Sequence, residues 1–184
     1  MLRTVLFGLL LVLAACSQSG EDLDQPAVPL GNFQLQHNVV VAPKAVKGPL
    51  SREASEEELT GALKTAIGER FGRYEGDKRY HFGVSVEAYV LAQPGIPLVV
   101  SPKSVMIIRL TVWDDAAGEK LNDPPEQMTI FESLSGETAI GSGLTQSAEE
   151  QLRNLSVNAA KQIENFLVEQ NKEQGWFDPE DADG

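Results

Sequence analysis

Cysteine is almost missing from this sequence of 184 residues: Cys16 stands alone. No intramolecular disulfide can form, so stability has to come from a packed core, and a hydrophobic share of 42% is enough for one. Histidine is nearly as scarce, with only His37 and His81. They show no HExxH spacing and have no cysteine ligands beside them, which argues against a zinc centre. Signatures of nucleophilic chemistry are missing as well. There is no GxSxG elbow. Gly141-Ser142-Gly143 precedes a helical pattern but lacks the lysine and the spacing of a phosphate loop. Basic residues number 15 against 27 acids, a net charge of −12 that disfavours nucleic acid and a purely electrostatic hold on a membrane. From this inventory no catalytic residue, no metal and no cofactor is expected.

Long apolar runs are also rare, and the one that exists comes first. Arg3 supplies a positive charge, Val5 to Leu13 an apolar stretch too short to span a bilayer, and Ala14-Ala15 lead into Cys16. That order is the grammar of a secretory signal. Residues 17–30 are small, polar and proline-containing, as a flexible tether would be. Asp178, Glu180, Asp181 and Asp183 crowd the other end as a solvated acidic tail. The expected organisation is a signal over 1–15, a tether over 16–30, one domain over 31–175 and a tail over 176–184.

Within the domain the first strand runs from about Phe33 to Val41. Its alternation places Phe33, Leu35, His37, Val39 and Val41 on one side, with His37 an ordinary inner-face residue. Ser55 and Glu58 make a capping box, after which Leu59, Ala62, Leu63, Ala66, Ile67 and Phe71 form one helical stripe. A second strand alternates Phe82, Val84, Val86, Ala88 and Val90 with Gly83, Ser85, Glu87, Tyr89 and Leu91. A third, from Ser104 to Trp113, sets Met106, Ile108, Leu110 and Val112 against Arg109, Thr111 and Trp113. A turn spans Asp114 to Glu119, and a weaker strand covers 127–133. A final capped helix begins at Ser147 and carries Leu152, Leu155, Ala159, Ile163, Phe166 and Leu167 on one face. The order β-α-β-β-β-α predicts an α+β two-layer sandwich, both helices packed on one face of a mostly antiparallel sheet.

Two places could make contacts. One is the segment 93–102, longer than a usual hairpin loop and rich in proline, with Ile96, Leu98 and Val99 among its aliphatics. The other is the sheet side away from the helices, where Tyr89, Arg109 and Trp113 are residue types enriched at interfaces.

The ending Leu13-Ala14-Ala15-Cys16 resembles the lipobox of bacterial lipoproteins. That resemblance implies cleavage before Cys16, acylation of its sulfur and amine, and a stable membrane anchor. Ser17, in place of an aspartate, favours the periplasmic face of the outer membrane over the inner membrane. With the early strand, the capped helix, the turn at Asp114 to Glu119 and the long last helix, the plan is similar to small Gram-negative envelope lipoproteins. Two such groups are the lipopolysaccharide-assembly lipoprotein and the auxiliary lipoproteins of ABC-type lipid transporters. The resemblance implies a non-catalytic accessory or binding component of envelope assembly or lipid transport, with an envelope protein as partner. The alternative is a small lipid- or glycan-binding module with a groove between sheet and helices.

Overall fold

The computed structural model describes residues 21–93, 104–133 and 146–177. Strands β1 (Gln34–Val41), β2 (Val46–Lys47), β3 (Arg79–Val90), β4 (Val105–Asp114), β5 (Glu119–Lys120) and β6 (Glu126–Phe131) form one sheet. Helices α1 (Glu56–Phe71) and α2 (Ala148–Gln174) complete the α+β sandwich. β3 is central: β1 and β2 pair with it in parallel along one edge, and β4 pairs antiparallel along the other. β4 then takes β5 and β6 as antiparallel partners. Apart from the two-residue strands β2 and β5, the element order is the expected one.

The alternating pattern decides which side of the sheet is dry. Met106, Ile108, Leu110 and Val112 of β4 are each 0% exposed. Phe82, Val84 and Val86 of β3 lie beside them and face the helices. From α1 come Leu59, Leu63, Ala66, Ile67 and Phe71, and from α2 Leu152, Leu155, Ala159, Ile163 and Leu167, all in the same core. Both helix starts carry the complete capping box, with Ser55 paired to Glu58 and Ser147 to Glu150. The Ser147 backbone N–H donates to Glu150 at 2.6 Å, while its hydroxyl accepts from the Glu150 N–H at 3.1 Å. Those bonds hold the Glu150 carboxyl below its ordinary pKa. Ser147→Ala should therefore cost about 1 kcal/mol, measured as a shift in urea midpoint with unchanged slope. α2 ends at Gly175, whose φ of 67° is the left-handed turn that glycine adopts without strain.

The domain reaches beyond both expected limits. Leu30 is 1% exposed, and Phe177, assigned by sequence to the acidic tail, is 0% exposed. Phe177 stacks edge-on to Phe33 and Tyr80, with ring centroids 5.0 and 4.9 Å apart. Within the stretch expected to be a tether, Asp22, Leu23 and Gln25 are held against the helix layer. A short 3-10 turn at Glu21–Asp24 lies against the helices. There the Arg70 guanidinium, buried in the core, grips both Asp22 oxygens at 3.0 and 2.9 Å and Glu164 at 2.7 Å. Lys161 reaches Asp22 at 3.2 Å, and Arg73 donates to the carbonyls of Leu23 and Gln25. The turn and Gln25 are thereby tied to the C-terminal end of α1 and the middle of α2.

Candidate functional site

Two irregularities in the ladder determine what the sheet shows to solvent. The β1–β3 register shifts between Leu35 and His37, so an extra residue, Gln36, is inserted there. A bulge moves every later side chain to the opposite face. Leu35 packs inward, but beyond the bulge it is Asn38 and Val40 that face α1, and His37, Val39 and Val41 that face out. The expected inner-face position of His37 is corrected on that ground.

The second bulge lies between Val86 and Ala88 in β3, with Glu87 as the extra residue. It turns Tyr89 away from the open face, where its alternation had placed it. Tyr89 is 4% exposed, and its hydroxyl donates to the Ala54 carbonyl at 3.1 Å and accepts from the Ala54 N–H at 3.2 Å. Tyr89 thus pins the segment leading into α1 and is removed from the contact surface. Arg109 and Trp113 remain on the open face as expected. Arg109 sits opposite Ser85, and Glu87 falls outside the β3–β4 register.

Register builds the face in rows across the sheet. His37, His81, Trp113 and Lys120 form one row; Val39, Gly83 and Thr111 form the next; Val41, Ser85, Arg109 and Gln127 follow. Neither α1 nor α2 covers these rows, since both pack on the other side. The result is an apolar, aromatic and cationic mixture: Val39 is 57% exposed, Val41 43%, Trp113 38% and Phe131 60%. A shallow depression of about 330 Å³ lies at its middle, lined by Val39, Val41, Ser85, Glu87, Arg109 and Thr111.

One end of the face holds the two histidines of the chain. The parallel pairing sets His37 beside His81, with their Nδ1 atoms 2.9 Å apart. His81 Nε2 lies 2.9 Å from Asp115 Oδ1. If Nε2–H donates to that carboxylate, His81 Nδ1 is the acceptor and His37 Nδ1–H the donor, since only one of the two facing nitrogens can carry a proton. The His81 contact holds the Asp115 carboxyl below its usual value. Among the described residues, no group of three or more His, Cys, Asp or Glu side chains is placed to share a metal ion. Sequence spacing gave no sign of this pair, because 44 residues separate its members and only the β1–β3 pairing joins them.

A second concavity, of about 590 Å³, runs along the seam between α1 and α2 rather than between sheet and helices. Gly61, Ala62, Ala66 and Leu152 floor it, and Glu57 and Glu69 stand among its rim. Arg153 and Thr65 line it as well, so the carboxylates are not its whole polar content. Cys16, Ile96, Leu98, Val99 and the Gly141-Ser142-Gly143 triplet lie outside the described residues. No described helix is long and apolar enough to cross a membrane.

No protein-family model and no curated protein sequence matches this chain. Among solved structures it is similar to a Xanthomonas campestris protein of the family DUF330, at 16% identity and a TM-score of 0.47 over 81% of this chain and 92% of that one. It is also similar to a minor lipoprotein of Acinetobacter baumannii, at 16% identity and a TM-score of 0.31 over 73% and 94% of the two chains. Similarity at this level assigns the chain neither a family nor an activity.

Proposed function

We propose that this chain is a lipid-anchored protein of the bacterial envelope that works by binding a protein partner and catalyses no reaction. Its anchor is Cys16, on the periplasmic face of the outer membrane, and its docking surface is the uncovered side of the sheet. One observation carries the binding role: among the described residues no layer covers this side of the sheet, which presents Val39, Val41, Trp113 and Phe131, all more than a third exposed, around Arg109. Aromatic and arginine side chains on a rigid, partly apolar surface are what protein interfaces use as anchors. A role in envelope assembly or lipid transport fits such a protein, the partner being a component of that machinery.

The anchor and the face are tested separately. Cys16→Ser should abolish incorporation of a clickable fatty acid and release the protein from membranes, because two or more acyl chains are what give a stable hold. Persisting label in that variant would exclude Cys16 as the site. For the face, a photoreactive amino acid placed at Thr111 should yield one discrete adduct in intact cells, and the same residue placed at Glu69 on the helix side should not. Substituting Trp113 and Arg109 by Ala should remove the Thr111 adduct while shifting stability by no more than about 0.5 kcal/mol for each exposed site. Adducts from both positions, or from neither, would eliminate the sheet face as the contact surface.

A further inference from the structure

The docked N-terminal segment has a consequence for how the domain meets the membrane. Asp22 is fixed by Arg70 and Lys161, and both of these cations belong to the helix layer. Its carboxyl loses some hydration by partial burial, but the hydrogen bonds and charges of Arg70 and Lys161 outweigh that loss and keep it ionised. Arg73 reinforces the attachment by holding the Leu23 and Gln25 carbonyls at 3.2 and 3.0 Å. Leu30, 1% exposed, secures the far end of the segment. The chain from Asp22 onward is therefore part of the domain surface, and only the residues between Cys16 and Asp22 are left to span the distance to an acyl anchor.

Contour length turns this into a geometric limit. The steps from Cys16 to Asp22 reach at most about 20 Å when fully extended. Were the segment free up to Leu30, the reach would be about 50 Å. A domain of this size has a radius of gyration of about 15 Å, so a path from the helix layer around to the opposite face is roughly 60 Å. The short leash cannot cover that path, and the long one comes close.

We infer that the Asp22–Arg70–Glu164–Lys161 cluster is an orienting clasp: it holds the helix layer against the lipid surface and turns the open sheet face away from it. The clasp rests on the Cys16 anchor proposed above. Its partner is the bilayer surface itself, met by the end of the domain where the α1 C-terminus and the middle of α2 come together. The consequence for binding is direct. The face bearing Val39, Arg109, Thr111 and Trp113 is presented outward, where a protein projecting from elsewhere in the envelope can reach it.

The test uses the full acylated chain in vesicles of phosphatidylethanolamine and phosphatidylglycerol carrying an acceptor-labelled lipid. A donor dye is placed at Glu69→Cys on the helix side or at Thr129→Cys on the sheet side, both exposed positions. Transfer from the Glu69 position should exceed that from Thr129 by roughly twofold or more, since the two dyes sit on opposite sides of a domain about 40 Å across. Asp22→Ala combined with Arg73→Ala, which also frees the Leu23 and Gln25 carbonyls, should bring the two values together. Inserting roughly ten Gly-Ser residues between Ser19 and Gly20 should do the same without touching the fold, which keeps the test valid if that double variant is unstable. Co-sedimentation and fatty-acid label are read on the same samples. Protein that is unlabelled and does not sediment overturns the anchor and the orientation with it. Protein that is labelled and sediments, yet transfers equally from both positions before any lengthening, overturns the orientation alone.

Discussion

Phe33→Ala should be among the most damaging single substitutions in the chain, with an expected loss of about 3–5 kcal/mol in the free energy of unfolding. Phe33 is 0% exposed, just before β1, and the rings of Phe71, Tyr74, Tyr80, Phe82 and Phe177 surround it at centroid distances of 5.0 to 6.0 Å. Several of these contacts are edge-on, a geometry that adds to the area term. Truncation would remove the hub that joins α1, the sheet and the segment after α2. Five large rings cannot collapse into the space without losing their mutual packing, so the cavity term should be near its upper range. Phe33→Leu should recover part of the loss. Urea melts of a soluble form beginning at Ser17 would measure both. A loss below about 1.5 kcal/mol for the alanine variant would mean that the cluster can repack, contrary to the expectation for an interior of native density.

Much of this architecture was legible in the sequence because period and burial agree over long stretches. The β4 residues Met106, Ile108, Leu110 and Val112 alternate without interruption, and every one is buried. The α1 and α2 stripes and both capping boxes were likewise readable, since each is a local pattern of spacing. The errors began where the period slipped by one. Gln36 and Glu87 are the bulge residues, and nothing in their chemistry marks them as such. Each is followed by residues that still alternate, so extending the pattern past it sends His37 inward and Tyr89 outward, the reverse of where they are. A bulge is fixed by pairing with a neighbouring strand, and that information is not local.

The same reasoning separates what could and could not be known of the surface. Arg109 and Trp113 lie on β4, whose period is unbroken, and their exposure followed from it. The histidine pair and the Asp22 clasp depend on partners far away in sequence. Arg70 is instructive here. It stands near the end of α1, yet it is 1% exposed because Glu164, 94 residues later, supplies the opposite charge. A buried charge is legible only once its counter-charge is placed.

That buried pair leads to the second large effect. Arg70→Ala should cost about 3–5 kcal/mol, because it leaves the Glu164 carboxylate, 3% exposed, without its strongest partner. Tyr74 donates to Glu164 at 2.7 Å and Arg73 stands 3.4 Å away, so some compensation remains, while Asp22 loses its bidentate contact altogether. Replacing both members, Arg70→Met with Glu164→Leu, should cost less than Arg70→Ala alone. Removing two charges together avoids an orphaned one, and the desolvation penalty disappears with them. Acid should act through the same cluster. The Asp22 pKa is held below the ordinary aspartate value by Arg70 and Lys161, so the stability this group contributes is present above that ordinary value and is lost as pH falls through the lower, folded one. Asp22→Asn cannot titrate there, and its stability should fall less steeply than the parent's below about pH 4. Urea melts of the parent, Arg70→Ala, the double variant and Asp22→Asn, each at neutral and acid pH, give the comparison. A double variant as unstable as Arg70→Ala would show that packing around the guanidinium, and not the orphaned carboxylate, is what the single substitution destroys.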